Sequence, residues 1–194
     1  SADVSLDHFV YEKSPLGNWT MNGVYLPGDN NAHHVDGFIM HNDQEIMYMN
    51  GIYQADETGQ ENITGELELQ HFPLWVINPF VPDGIVNFRG DIDGTLAMEG
   101  NPLKPVLNGG LQLDSVLMVM PDMSIGFRFD NKQVKMQDSK MVFDKFNIYT
   151  RGETPFVVNG SVDFSDLEKM MVDLRMKTSN YELMNAPKNR KATM

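Results

Sequence analysis

Histidine and carboxylate side chains are the residues of this chain whose types could bind a metal ion. His33, His34 and His41 lie close together, and imidazole nitrogen is a common ligand of zinc and other transition metals. Neither a carboxylate nor a third histidine stands at ligand spacing from His34 and His41. The pattern therefore favours exposed histidines in a strand and its turn, and it predicts no metal site.

Alternate aspartates form a second pattern with possible chemistry. The segment Asp91-Ile-Asp-Gly resembles the beginning of a calcium-binding loop, because its carboxylates fall on one side and Gly94 permits a sharp turn. The bidentate glutamate that such a loop needs is missing, since its position falls within residues 101–103. A solvated strand face followed by a glycine bend is the favoured interpretation.

No catalytic arrangement is recognisable in the sequence. It has no Gly-x-Ser-x-Gly elbow, Walker loop, His-Glu-x-x-His helix or dinucleotide fingerprint. It also has no cysteine, which excludes disulfides, thiolate metal ligands and a cysteine nucleophile. Glu66 and Glu68 alternate with leucines, as on an exposed strand face. We therefore predict a protein that is not an enzyme and uses no cofactor.

Three Asn-x-Ser/Thr triplets begin at Asn18, Asn62 and Asn159. They would accept glycans in a eukaryotic secreted protein. Such triplets arise by chance in a chain rich in these residue types, so they carry little weight here.

The charge balance excludes some partners. The formal net charge is −12 and the pI is near 4.7. Phosphate binding needs a concentrated basic surface, so we predict no nucleic-acid partner, and anionic membrane surfaces are disfavoured too. No apolar window of about eighteen residues and no signal peptide is present. A targeting segment, if the protein has one, is expected to have been removed or to lie outside this sequence.

Short runs of alternating apolar and polar residues extend along most of the chain. In residues 90–113 the alternation is broken at Gly100 and the two prolines after it, and a new strand begins at Val106. Such period-2 alternation predicts half-buried strands. The same pattern predicts strands in residues 17–25, 47–53, 62–69, 124–129, 133–136, 140–143, 145–149, 155–164 and 171–178.

One apolar segment does not alternate. A proline near its start suits a first helical turn, and Pro79 and Pro82 would end the helix, which predicts one short helix near 72–80 that acts as a plug or cap. Residues 165–170 fit either a single helical turn, capped by Ser165 and Glu168, or a loop. We expect residues 1–194 to be one segment of a longer repetitive array, with residues 185–194 a linker or an incomplete strand.

The apolar residues of the strands fall on one parity. Periodicity alone fits an ordinary β core, and it also fits a surface that stays open to hold an apolar ligand. Fifteen methionines suit both interpretations, because the flexible thioether adapts to irregular cores and to varied ligands. If the surface is open, the predicted groove residues are Ile92, Leu96, Met98, Leu111, Leu113, Phe127, Phe129, Met136, Phe143, Ile148, Val158, Val162 and Leu174.

Several loose glycine and leucine motifs follow one another along the chain. They are Glu66-Leu-Glu-Leu-Gln-His-Phe-Pro-Leu, Asn78-Pro-Phe-Val-Pro, a Gly-x-x-x-Gly-x-x-x-x-x-Gly strand from Gly90, and Pro105-x-x-x-Gly-Gly-Leu-x-Leu. This order resembles the TamB family of the AsmA-like superfamily. The later pattern is similar to the versions of that family in Bacteroidetes, and the resemblance spans about residues 7–184.

The resemblance implies an all-β fold and a role in the cell envelope. Members of that family look like elongated, bent β-sheets, taco-like or solenoidal, with an apolar concave groove. The resemblance therefore implies a periplasmic segment of a longer protein that is anchored in the inner membrane outside this segment. It further implies shielding and conduction of phospholipid acyl chains for outer-membrane biogenesis, with an Omp85-type barrel as a partner. It supplies no catalytic residues.

Two other functions remain open at this stage. A non-catalytic β scaffold could dock an outer-membrane barrel partner by adding an edge strand, which would aid outer-membrane protein assembly. A carbohydrate-active β-solenoid enzyme would need an acidic or basic cluster on one shared face, and the sequence has none. The groove hypothesis predicts an apolar face that no second sheet covers.

Overall fold

The computed structural model describes residues 1–29, 31–56, 58–81, 84–150, 154–166 and 169–179. The fold is all-β and elongated, as predicted. Its described strands are β1 (Ala2–Tyr11), β2 (Ser14–Pro27), β3 (Ala32–His41), β4 (Gln44–Ala55), β5 (Glu61–Pro73), β6 (Asn87–Gly100), β7 (Val106–Met120), β8 (Ile125–Phe129), β9 (Gln133–Gln137), β10 (Lys140–Tyr149), β11 (Phe156–Asp163) and β12 (Met171–Lys177).

The described strands form one antiparallel sheet in which neighbours along the chain are neighbours in space. Strands β8 and β9 interrupt this simple order, because they share one place between β7 and β10. β8 pairs with one end of β7 and β9 pairs with the other. The described part of the chain therefore contains no second sheet, and β1 and β12 are the two edges.

Tight two-residue turns connect several strands. Both residues have positive φ at Glu12-Lys13, Asn42-Asp43 and Asp138-Ser139. Turns of this kind match the right-handed twist of the flanking strands and fix their register. The alternation of side chains between the two faces of one strand therefore continues in register into the next strand.

Bulges that share one backbone geometry and one type of hydrogen bond interrupt the strands. His8, His71, Ser115 and Lys145 have φ between 47° and 52°, and each lies within a strand. The N–H of each donates to a side-chain oxygen from further along the chain, at 2.8 to 3.0 Å. The acceptors are Asn18, Asp93, Asn131 and Asn159 in that order. Bulges of this kind bend a strand and increase its twist.

Glycine is required where neighbouring strands approach most closely. A Cβ at Gly94 would collide with the carbonyl oxygen of Gly110, and a Cβ at Gly109 would collide with that of Thr95. Both glycines also have large positive φ. Glycine kinks together with bulges let a sheet curve instead of remaining flat.

A 3-10 helix, Leu74–Phe80, follows β5 and is here called the cap helix. Pro79 lies inside it, and the chain returns to an extended conformation at Val81. Asn78 fixes the helix to β6, because its side chain accepts the N–H of Phe88 at 2.7 Å and donates to the carbonyl of Phe88 at 2.9 Å. The predicted short helix is therefore present, and a second 3-10 turn spans Pro121–Met123.

Most of the buried core lies in the C-terminal half of the sheet, although Leu16 on β2 and Ile46 on β4 are also only 2% exposed. Leu74 of the cap helix packs in one cluster with Leu113, Val116, Val134, Phe146 and Val158, while Leu96, Leu111 and Met136 form a second cluster. Val134 and Val158 are only 2% and 1% exposed. Leu74 and Ile77 of the cap helix belong to or pack against the first cluster on one face of the sheet. We call this face the inner face.

Most predicted segments match strands, with one merger. Residues 140–143 and 145–149 belong to one strand, β10, which the bulge at Lys145 bends. Of the two alternatives for residues 165–170, the described residues 165, 166, 169 and 170 are not helical, and Ser165 donates its N–H to Asp163. The predicted linker at residues 185–194 lies outside the described residues.

Candidate functional site

The strand register places all thirteen predicted groove residues on the inner face. Leu113 pairs with Ile92, Met136 with Met141, and Val158 with Phe146, so that their side chains project to the same side. Phe127 joins this face through Met118 and Phe88. The alternation read from the sequence is thus present in space, whereas contact of these residues with a lipid remains a prediction.

These thirteen residues divide into a buried group and a half-buried group. Leu96, Leu111, Leu113, Met136 and Val158 are buried inside the two core clusters. The others are half-buried around them. The inner face from β6 to β11 is therefore largely occupied by the protein's own side chains, while Val172 and Met176 on the edge strand β12 remain exposed on that face.

The inner face of β1–β4 is open instead. Val4 and Leu6 on β1, Met21 and Tyr25 on β2, and Met49 on β4 are exposed large apolar side chains. The register places them on the same side as one another, with Val4 beside Met21 and Leu6 beside Trp19. We call this surface the open half. No prediction from the sequence included it, although β2 and β4 share the motif Met-Asn-Gly-Val/Ile-Tyr that builds it.

An aromatic row closes the open half at the end where the cap helix lies, here called the helix end. The His41 ring lies 4.9 Å from the Trp19 ring and 5.5 Å from the Trp75 ring of the cap helix, measured between centroids. His41 Nε2 lies 2.9 Å from the carbonyl oxygen of Leu16. Beside this row, Phe80 stacks on Tyr11 at 4.8 Å. The cap helix thus contacts β1 and β3 as well as the buried core.

A second aromatic row lies at the opposite end, here called the rim end. The His33 ring stacks between those of Tyr25 and Tyr53, with centroids 5.2 and 6.0 Å away. The Tyr25 hydroxyl lies 2.6 Å from His33 Nδ1, and the Tyr53 hydroxyl donates to Glu61 at 2.8 Å. The bond to Glu61 raises the pKa of Tyr53, and partial burial adds to that shift. The rim end therefore presents hydroxyl, imidazole and carboxylate groups beside apolar surface.

The negative charge of the protein is concentrated in residues 1–88, which include the open half, β5 and the cap helix. Residues 1–88 contain 13 of the 27 aspartates and glutamates but only one of the 15 lysines and arginines, Lys13. Their formal net charge is therefore −12, and the rest of the chain is neutral overall. At the rim end, Asp56 accepts hydrogen bonds from the hydroxyl and N–H of Thr58 and from the N–H of Gln60, and these bonds lower its pKa.

The residues first considered as metal ligands have other partners. His33 and His41 belong to the two aromatic rows, so the expectation of exposed histidines holds only for His34. Asp93 accepts the N–H of His71 and lies 3.2 Å from His71 Nδ1. No group of three or more histidine, aspartate or glutamate side chains in the described part of the chain could hold a metal ion.

Comparison with family profiles, with curated proteins and with solved structures found no match for this chain. In the described ranges, no helix is long and apolar enough to cross a membrane. The site must therefore be judged from its own geometry, which is an uncovered apolar strip between two aromatic rows.

Proposed function

We propose that this chain shields and conducts phospholipid acyl chains along its inner face, as a periplasmic segment of a bridge between the inner and outer membranes. The open half is the observation that carries this proposal. A row of exposed valine, leucine and methionine side chains lies there on one side of a single sheet, uncovered by a second sheet in the described part of the chain. The outer face of the same strands also exposes Val24, Leu26 and Ile52, but the register places polar Asp36 and His34 beside them, whereas Ile39 continues the apolar inner row. Contiguous exposed apolar patches are typical of binding surfaces.

The energetics suit transient holding of a lipid. Each buried methylene contributes about 0.8 kcal/mol, so a chain that is partly covered on an open sheet gains several kcal/mol and can still leave. Methionine side chains fit this task because they adapt to chains of different shape. The resemblance to the TamB family, which rests on the glycine and leucine motifs, supports the envelope location and an Omp85-type partner.

The test uses two glutamate substitutions on the same strand. Met21 lies on the inner face and is 38% exposed, whereas Val24 lies on the outer face and is 42% exposed. The protein is produced in a Gram-negative host, purified without detergent, and studied by native mass spectrometry with organic extraction. We expect phospholipid to co-purify with the wild type and with Val24→Glu, and to be lost from Met21→Glu. Lipid-free wild-type protein would overturn the proposal.

A second candidate function is a scaffold that docks a barrel partner by edge addition. It is favoured by β12, an edge strand whose Met171, Val172 and Met176 are all more than 60% exposed. An exposed apolar edge is a template for another strand. If this function holds, Met176→Lys should abolish cross-linking to an Omp85-type barrel while Met21→Glu leaves it intact.

A further inference from the structure

The polarity of the open half changes along its strands. Its middle is apolar, with Met21, Ile39 and Met47 side by side on β2, β3 and β4. Each end carries rings that combine an apolar body with a polar atom. Such side chains favour places where an apolar region meets water. The surface therefore matches a molecule with an apolar middle and a polar end.

The length of this surface suits one acyl chain. Tyr25 lies six positions after Trp19 on β2 and His41 lies eight positions after His33 on β3, which corresponds to about 20 and 26 Å of extended strand. Half of a bilayer's hydrocarbon core, the depth of one acyl chain, is about 15 Å. A single chain and part of its head group therefore fit between the rows.

The two ends differ in packing and in charge. At the helix end the cap helix lies against the strands, with Trp75 on His41 and Phe80 on Tyr11. At the rim end the row consists of Tyr25, His33 and Tyr53, and the described residues of the neighbouring turns, 28–31 and 56–60, include aspartates but no lysine or arginine. The rim end therefore suits a polar head group, with the apolar tail directed toward the tryptophans.

We propose that the open half binds an amphiphile in this one orientation and prefers a zwitterionic head group, whose ammonium faces the tyrosine row and Glu61, over an anionic one. This inference rests on the proposed function. The formal charge of −12 on residues 1–88 repels an anionic head group. Aromatic rings beside a carboxylate are a common surrounding for an organic ammonium group.

The two tryptophans of the chain allow the orientation to be tested without labelling. Both belong to the helix-end row. Bromine atoms on a lysophosphatidylcholine chain, near the methyl end or near the head group, quench tryptophan fluorescence at short range. We expect stronger quenching from the methyl-end bromines. Stronger quenching from bromines near the head group would overturn the proposed orientation.

The head-group preference is tested by the same fluorescence titration. We expect lysophosphatidylglycerol with the same chain to bind about five- to tenfold more weakly than lysophosphatidylcholine at about 0.02 M salt, and the gap to close near 0.5 M. Glu61→Gln should reduce the preference by about two- to threefold, the size expected for one exposed ion pair. Glu66→Gln, the same change on the outer face of β5, is the control and should leave the preference unchanged.

The outcomes separate the two proposals. Equal affinity for both lipids overturns the head-group inference and leaves acyl-chain binding standing. An equal effect of Glu61→Gln and Glu66→Gln overturns the role of the rim. If neither lipid quenches the tryptophan fluorescence, acyl-chain binding itself is contradicted.

Discussion

Asparagine side chains hold three of the four bulges described above, and their loss should be measurable. Asn159 accepts the N–H of Lys145, a residue in the left-handed region, at 2.9 Å. We expect Asn159→Ala to lower the free energy of unfolding by about 1 kcal/mol, because that N–H then loses its partner. Urea denaturation is the measurement. Asn62→Ala, which removes an exposed asparagine from the same type of sequence triplet, should change stability little.

Two aspartates should show opposite pH dependence. Burial raises the pKa of Asp91, with Asp114 and Asp93 adding to the shift, whereas hydrogen bonds from Ser165 lower the pKa of Asp163, with Lys140 contributing further. Ionised Asp91 therefore costs stability above its raised pKa. Ionised Asp163 adds stability above the ordinary value of 3.8, and this is lost as the pH falls through its lowered pKa.

Melting temperatures of the asparagine variants between pH 3 and 7 test these signs. At neutral pH we expect Asp91→Asn to melt above the wild type and Asp163→Asn to melt below it. Both differences should shrink as the pH falls and the wild-type carboxylates are protonated. A neutral-pH difference of the opposite sign in either variant would refute the assignment for that residue.

At the scale of elements, the cap helix depends on one side chain. Asn78→Ala removes both hydrogen bonds to Phe88 and leaves its N–H and carbonyl without these partners. We expect the free energy of unfolding to fall by about 1–3 kcal/mol, together with faster amide exchange in residues 74–80. Asn87→Ala, an exposed neighbour on β6, is the control. Unchanged exchange in the cap helix would show that packing of Leu74 alone holds it.

The elements themselves were largely predictable from the sequence. Period-2 alternation with glycine and proline breaks located β6 and β7, and the prolines at 73, 79 and 82 located the cap helix. The bulges were not predictable, because Ser115 and Lys145 are not residue types that signal positive φ. Their acceptors also lie 16 and 14 residues away in sequence. Contacts this distant form only once the sheet has assembled.

The candidate site was predictable only in part, for the same reason. Alternation identified which side chains share the inner face, but it could not tell covered from uncovered positions. The cap helix decides part of this coverage, because Leu74 packs onto the core of the C-terminal half while Trp75 and Phe80 contact the helix end of β3 and β1. The open half and its aromatic rows could therefore be recognised only from the folded structure.

At the scale of the whole molecule, the sheet has two functionally different parts. The C-terminal half holds both core clusters and balances its charges, whereas the N-terminal half carries the net charge and the open apolar face. The neutral, packed half stabilises the fold, and this leaves the other half free to keep apolar side chains in contact with solvent or ligand. The edges β1 and β12 allow the sheet to be extended by further strands.

The most direct test of the account is photo-cross-linking from the two faces of β4 in a Gram-negative host. Met49 on the inner face and Ile52 on the outer face have similar exposure, 37% and 40%. With benzoylphenylalanine at each position in turn, we expect mass spectrometry to find phospholipid attached at Met49 and not at Ile52. Cross-links at Ile52 alone, equally at both positions or at neither would contradict binding of acyl chains on the inner face.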